Sequence, residues 1–291
     1  MSATATVSTP TGLAPSVPTA ILAIARRELR DALSSKWFAM FTIAFAGLAI
    51  ALSFLSLAGA GSSGFAGFGR TTAGLLNLIM LLVPLLALTA GAGSIAGERE
   101  RGTLLYLLAQ PISRSEVVIG KFLGLSGAIC ASLLLGFGLS ACVLTWRAGG
   151  VGVGAFVALV ALTCLLAMSM LAIGLLISVR SRKTSVATGL ALCVWLALVF
   201  LSDLGLMAGT ILFKLRVQEV FALAVLNPLQ AFKMGVIMQM NASLDVLGPA
   251  GMYASRTFGD HLAWMLPGVV GVWGAMAMVI AMVLFARRVS V

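Results

Sequence analysis

Glu98, Arg99, Glu100 and Arg101 stand side by side, the densest charge in a chain of 291 residues of which only 10% are charged. Signs that alternate at this density suit recognition through ion pairs; general acid–base work needs a base placed around a reacting group instead. Other chemistries fail on residue type. His261, the only histidine, stands beside Asp260 and supplies neither a catalytic triad nor an HExxH zinc site. Cys130, Cys142, Cys164 and Cys193 all fall in apolar runs and never form CxxC, so they read as small packing residues. Gly120-Lys121 is followed by Phe122, and Ser115 stands where a phosphate-cradling loop needs its first glycine, so nucleotide chemistry has no seat in this motif. Gly91, Gly93 and Gly97 follow no strand and indicate close helix packing, not a dinucleotide fingerprint. Thioethers suit Cu(I), and Met234 and Met238 share a helix face with Met240 and Met252 nearby. Against that, 14 methionines in so apolar a chain are expected as flexible filler.

The elements that carry these residues are membrane helices. Hydrophobic residues make up 60% of the chain and the mean hydropathy is +1.11. Runs of about 20 apolar residues match a hydrocarbon core about 30 Å thick, and they do not alternate as barrel strands would. The predicted fold is an all-α integral membrane protein with six transmembrane spans at about 37–59, 73–95, 122–146, 153–179, 186–213 and 263–286. Residues 1–18 are rich in Ser, Thr, Ala and Pro and read as a disordered tail; 19–291 form the membrane domain. The net charge of +10 does not point to nucleic acid, because the basic residues lie between spans and not on one face. Arg26, Arg27, Arg30, Lys36, Arg99, Arg101, Arg114, Lys121, Arg180, Arg182, Lys183, Arg287 and Arg288 fall on one side. Arg70, Arg147, Lys214, Arg216, Lys233 and Arg256 fall on the other. The positive-inside rule therefore puts both termini and the 98–101 cluster in the cytoplasm.

Before the first span, Thr19 is placed to cap a helix with Ile21, Leu22, Ala25, Leu29, Ala32 and Leu33 on one face. Arg26, Arg27, Arg30, Asp31 and Ser34 lie on the other. Such a helix lies along the membrane surface, as a basic anchor or through a specific contact. After the charged cluster, Gly102 permits a turn and Thr103 a new start. Leu104, Leu107 and Leu108 share a face over about two turns, which Gln110 and Pro111 close. Ser113 and Glu116 then form a capping box that opens the helix of the third span. A helix this short needs a surface to pack on, either lipid headgroups or a protein partner.

The stretch GERERGTLLYLLAQPISRSEVVIGKFLG resembles the GE-x-E-x-GTL…P-x-x-R…GK segment of ABC-2-type transporter permeases. The resemblance implies six spans, an amphipathic elbow helix first (Arg26, Arg27, Glu28, Arg30, Asp31), and a cytoplasmic coupling helix that docks on a separate ABC ATPase subunit. The coupling segment would be Glu98, Arg99, Glu100, Arg101, Thr103, Leu104, Leu107, Leu108, Pro111, Arg114, Glu116 and Lys121. ATP and Mg would be bound by that partner, with no cofactor in this chain, and two copies of the permease would assemble in a bacterial or archaeal cytoplasmic membrane. ARRELRDALSSKWF and LNPLQAFKMGVIMQMNASLDVLG are similar to the start and outer segment of permeases from the nitrous-oxide-reductase maturation system. That narrower likeness implies a periplasmic β-helical partner that serves copper-site assembly. Gln230 and Ala231 depart from it, since relatives often carry an acid there.

Between spans five and six, short extracytoplasmic helices interrupted by Pro228, Gly248 and Pro249 are expected to cap a cavity. Asn227, Pro228, Lys233, Met238 and Met240 would offer the outer partner surface. Asn77 and Pro84 make the second span polar and kinked, as a cavity wall or through an ordinary interhelical bond. Asp203 is either a pathway acid or a residue at the outer interface. Two outputs stay open: moving a lipid, drug or other small molecule, or transmitting ATPase motion to a maturation protein. A membrane enzyme is disfavoured, because the spans hold no credible nucleophile, base or metal cluster.

Overall fold

A computed structural model describes residues 17–58, 64–109, 112–148, 153–201, 216–239 and 249–287. Every regular element among them is helical. They run α1 (Val17–Leu33), α2 (Lys36–Ala58), α3 (Gly64–Glu100), α4 (Thr103–Leu108), α5 (Arg114–Ala148), α6 (Val153–Arg180) and α7 (Thr184–Leu196), the last continued by a π turn at Ala197–Leu201. Then come α8 (Val217–Leu226), α9 (Pro228–Gln239), α10 (Pro249–Phe258), a 3₁₀ turn at Gly259–His261 and α11 (Leu262–Arg287). Among the described residues, α2, α3, α5, α6 and α11 are long and apolar enough to cross a membrane. The count reaches six if the bent pair α8–α9 is taken as one span.

The expected fifth span, 186–213, is seen as α7 and its π turn up to Leu201; the rest, with Asp203, lies outside the described residues. At one end all five long helices run past the expected span limits: α2 starts at Lys36, α3 continues to Glu100, α5 starts at Arg114, α6 ends at Arg180 and α11 ends at Arg287. Charged residues stand at each of these ends. They emerge together at one end of the bundle, which we call the charged end.

Glycine decides how closely the central helices approach. A Cβ on Gly91 of α3 would lie 2.6 Å from the Leu171 carbonyl oxygen and 2.8 Å from the Leu175 nitrogen of α6, and Gly174 faces Leu88 in return. The expectation of tight packing at Gly91 therefore holds, and α3 with α6 is the most extensive helix pair. One turn further on, Ser178 Oγ of α6 accepts from the backbone N–H groups of Ile95 (3.0 Å) and Ala96 (2.8 Å). Small residues let backbones meet where no hydrophobic force separates helix from lipid. On the other flank, Phe41, Phe45, Phe137 and Phe156 form a ladder from α2 through α5 to α6, and Gly136 makes room for the Phe45 ring.

Within α3, Pro84 is buried, and Trp195 Nε1 of α7 donates to Leu81 O at 3.1 Å, in the backbone turn that the proline perturbs. Asn77 is exposed on the same helix and faces away from the core.

The segment between α7 and α11 differs from the expected set of helices wholly outside the spans. α8 and α9 meet at 105° across Asn227. Asn227 Nδ2 donates to Leu198 O (2.8 Å), Asn227 Oδ1 accepts from Leu229 N (2.8 Å), and Trp273 Nε1 donates to Leu226 O (3.0 Å). Leu198 and Trp273 each lie about 20 Å along their helices from the charged end, at 1.5 Å per residue. The bend therefore sits inside the bundle, where broken backbone is tolerated only if protein groups satisfy it. Pro228 opens α9 and Pro249 opens α10, as expected of proline at the first helical position. Gly248 and Met240 lie outside the described residues.

Candidate functional site

The charged end is built from the last turn of α3 outward. α1 lies on the start of α5 because Gly120 and Gly124 remove the side chains that would separate them. A Cβ at Gly120 would come within 2.8 Å of Ile24, and one at Gly124 within 2.6 Å of Glu28 Cβ. The face that α1 buries is Ala20, Ile24 and Ala32, with Glu28 in its middle. One detail differs from the sequence reading: α1 is helical from Val17, so Thr19 lies within it and not at its cap. Leu22 and Leu33 are exposed outside the bundle, and Glu28 stands on the buried face, where it meets a buried cation.

That cation is Lys121. Its side chain is 1% exposed, and Nζ donates to Glu28 Oε1 at 2.6 Å and pairs with Glu98 Oε1 at 2.9 Å. Two carboxylates from two helices thus close on one ammonium from a third, the geometry a buried ion needs to offset its desolvation. Glu98 Oε2 is buried with no hydrogen-bond partner.

The next two residues of α3 grip other elements. Arg99 Nη1 donates to Val179 O (3.3 Å) and to Ser181 O, closing the carbonyl end of α6. Glu100 Oε2 accepts from Thr184 N at 2.9 Å, satisfying an amide at the start of α7. Cations suit helix C-termini and anions suit N-termini, so each sign matches the dipole it meets. Arg101 is exposed. Gly102, at φ +75°, turns the chain into α4 through a backbone conformation that side-chain-bearing residues rarely adopt, and Thr103 Oγ1 donates back to Glu98 O (3.3 Å).

In α4, Leu104 is buried, whereas Leu105 is 63% and Tyr106 81% exposed. The side chains of Leu107 and Leu108, and residues 110–111 with Pro111, lie outside what the structure describes. Tyr106 was not singled out from the sequence. An aromatic residue on the face opposite Leu104 in a two-turn helix is the signal that would have found it. The capping box is present: Ser113 N donates to Glu116 Oε2 (3.2 Å) and Glu116 N to Ser113 Oγ (3.3 Å). Arg114 Nη1 reaches Ala286 O (3.0 Å), so the end of α11 joins the same surface.

On α1, Arg26, Arg27 and Arg30 are exposed, and Arg27 pairs with Asp31 at 3.7 Å. Among the described residues, the sequence candidates for a pathway or an outer partner surface are spread over α3, α9 and the turn between α8 and α9. Asn227 and Pro228 are turned into the bundle, and Lys233 and Met238 are half-buried on α9. Cys130 and Cys164 are half-buried and Cys142 and Cys193 exposed, all four as free thiols. Among the described residues, no group of three or more His, Cys, Asp and Glu is placed to hold a metal ion.

An all-helical membrane bundle with a short, outward-facing helix between its second and third long spans defines a class, and the comparisons agree with it. Residues 22–288 match the family described as ABC-2 family transporter protein, and the chain belongs to that family. It is similar to the "Probable ABC transporter permease protein NosY" of Stutzerimonas stutzeri, 31% identical over 273 residues, which cover 92% of this chain and 98% of that protein. It is also 31% identical over 271 residues to the protein of the same name from Pseudomonas aeruginosa PAO1, covering 91% and 97%. The chain is therefore a multi-pass permease subunit of the ABC-2 type and is not itself the catalytic subunit of such a system.

Proposed function

We propose that this permease couples ATP hydrolysis by a separate cytosolic ATPase to work across the cytoplasmic membrane of a bacterium or archaeon, with α4 as the docking element. The observation that carries this reading is the exposed pair Leu105 and Tyr106, presented on a helix whose other face is anchored by Leu104. Tyrosine is among the residue types on which interfaces concentrate their binding energy. The charged end is the cytoplasmic one, α1 is the elbow helix with its arginines at the level of anionic headgroups, and a second copy completes the assembly. ATP and Mg belong to the partner.

The likeness along almost the whole chain to permeases named NosY, with the matches at 25–38 and 226–248, supports a role in nitrous oxide reductase copper-site maturation. A periplasmic β-helical protein would then meet the outer end, near α8 to α10. The rival reading, an ABC-2 exporter of a lipid, drug or other small molecule, keeps the same docking end and differs only in output. Deletion of the gene separates the two. On the first reading, nitrous oxide reductase accumulates without its full copper complement and loses activity. Normal copper content in the deletion strain would leave the exporter reading in place. Docking is tested by Leu105→Asp with Tyr106→Asp, which should abolish co-purification of an ATPase subunit that the wild type retains.

A further inference from the structure

Three consecutive charged residues end α3, and successive residues on a helix point about 100° apart. Glu98 reaches Lys121 on α5, and through it Glu28 on α1; Arg99 holds the end of α6; Glu100 holds the start of α7. α4 begins at the Gly102 turn, two residues beyond, and Thr103 is bonded back to Glu98. Any displacement of α4 therefore acts on this turn first. Glu98 is buried and Arg99 half-buried, and Glu100, although exposed, is bonded to Thr184 N, so all three make contacts within the chain.

We propose that Glu98, Arg99 and Glu100, with Lys121 and Glu28, are positioning residues that divide the motion of α4 into separate arms, one to α1 and α5 and one to the α6–α7 turn. The inference rests on the docking role of α4 but assigns these charges to transmission instead of docking. Ionic and helix-end contacts suit the task because they are directional, while apolar packing slides. The joint that moves in this scheme is the α3–α4 turn at Gly102, and each arm has its own grip. The arms are separable: Glu28→Ala removes the α1 end of the first and leaves Lys121 paired with Glu98, and Arg99→Ala with Glu100→Ala releases the second.

The test uses the permease co-purified with its ATPase and reconstituted in lipid, with the four native cysteines replaced. One reporter thiol is placed on each arm, Arg27→Cys on α1 and Arg182→Cys in the α6–α7 turn, and maleimide labelling rates are compared without nucleotide and with ATP and vanadate. Otherwise unaltered protein should show a severalfold nucleotide effect at both sites. Glu28→Ala should abolish it at residue 27 only, and Arg99→Ala with Glu100→Ala at residue 182 only. Glu28→Asp should restore the response, and the ATPase should stay bound throughout. A general loss of structure would lower both responses together, and that result overturns the proposal. So does an unchanged response in both variants, or loss of the ATPase from either one, which would return the charges to docking. If the unaltered permease captures no ATPase at all, the docking reading fails first and this inference with it.

Discussion

The charged end and the bend at Asn227 solve the same problem with different residues. Each must satisfy helix ends where α-helices break. At the charged end, Arg99 closes α6, Glu100 opens α7, and Lys121 joins Glu28 to Glu98. About 20 Å deeper, Asn227 and the indole of Trp273 close the broken ends of α8 and α9. Ionised groups are costly at bilayer depth, by about 3 kcal/mol or more, and neutral amides and indoles are far less so. The choice of residue thus follows position: ionised groups paired with one another or with helix ends at the end of the bundle, and neutral donors about 20 Å further in.

Substitutions break or sharpen this contrast in a graded order. Lys121→Met should have the largest effect, about 3–5 kcal/mol, because it leaves two carboxylates facing each other without their cation. Thermal unfolding in detergent, read beside expression level, measures it. Asn227→Asp should follow at about 2–3 kcal/mol, for it puts a charge at depth, whereas Glu100→Asn at the charged end should cost a small fraction of that. Equal melting points for Asn227→Asp and Glu100→Asn would remove the depth argument. Gly91→Val tests the apolar seam between these levels. Overpacking against the α6 backbone should cost about 1–3 kcal/mol and weaken any crosslink engineered between α3 and α6. The mildest is Trp273→Phe, which removes one hydrogen bond to Leu226 O for about 0.5–1.5 kcal/mol and keeps an aromatic ring in place of the larger indole.

Much of the charged end was legible before any coordinates. The turn at Gly102, the α4 helix and the Ser113–Glu116 capping box follow from local rules that need only a few residues. The long apolar helices follow from length and composition. What the sequence could not display were contacts between residues far apart in the chain. Glu28 looked like one more charge on a basic helix, and only the approach of α1 to Gly120 and Gly124 turns it toward Lys121. The depth of the Asn227 bend was likewise hidden. A proline and a polar residue mark a break equally well in an outer loop and inside a bundle; Leu198 and Trp273 decide between them.

The most direct measurement is crosslinking of single cysteines placed at 103–109, in a chain without its native cysteines, with the captured species from native membranes identified by mass spectrometry. The account predicts that positions 105 and 106 capture an ABC ATPase subunit and that buried position 104 does not. Lipid-only labelling at every position would make α4 a membrane anchor and contradict its role as the docking element.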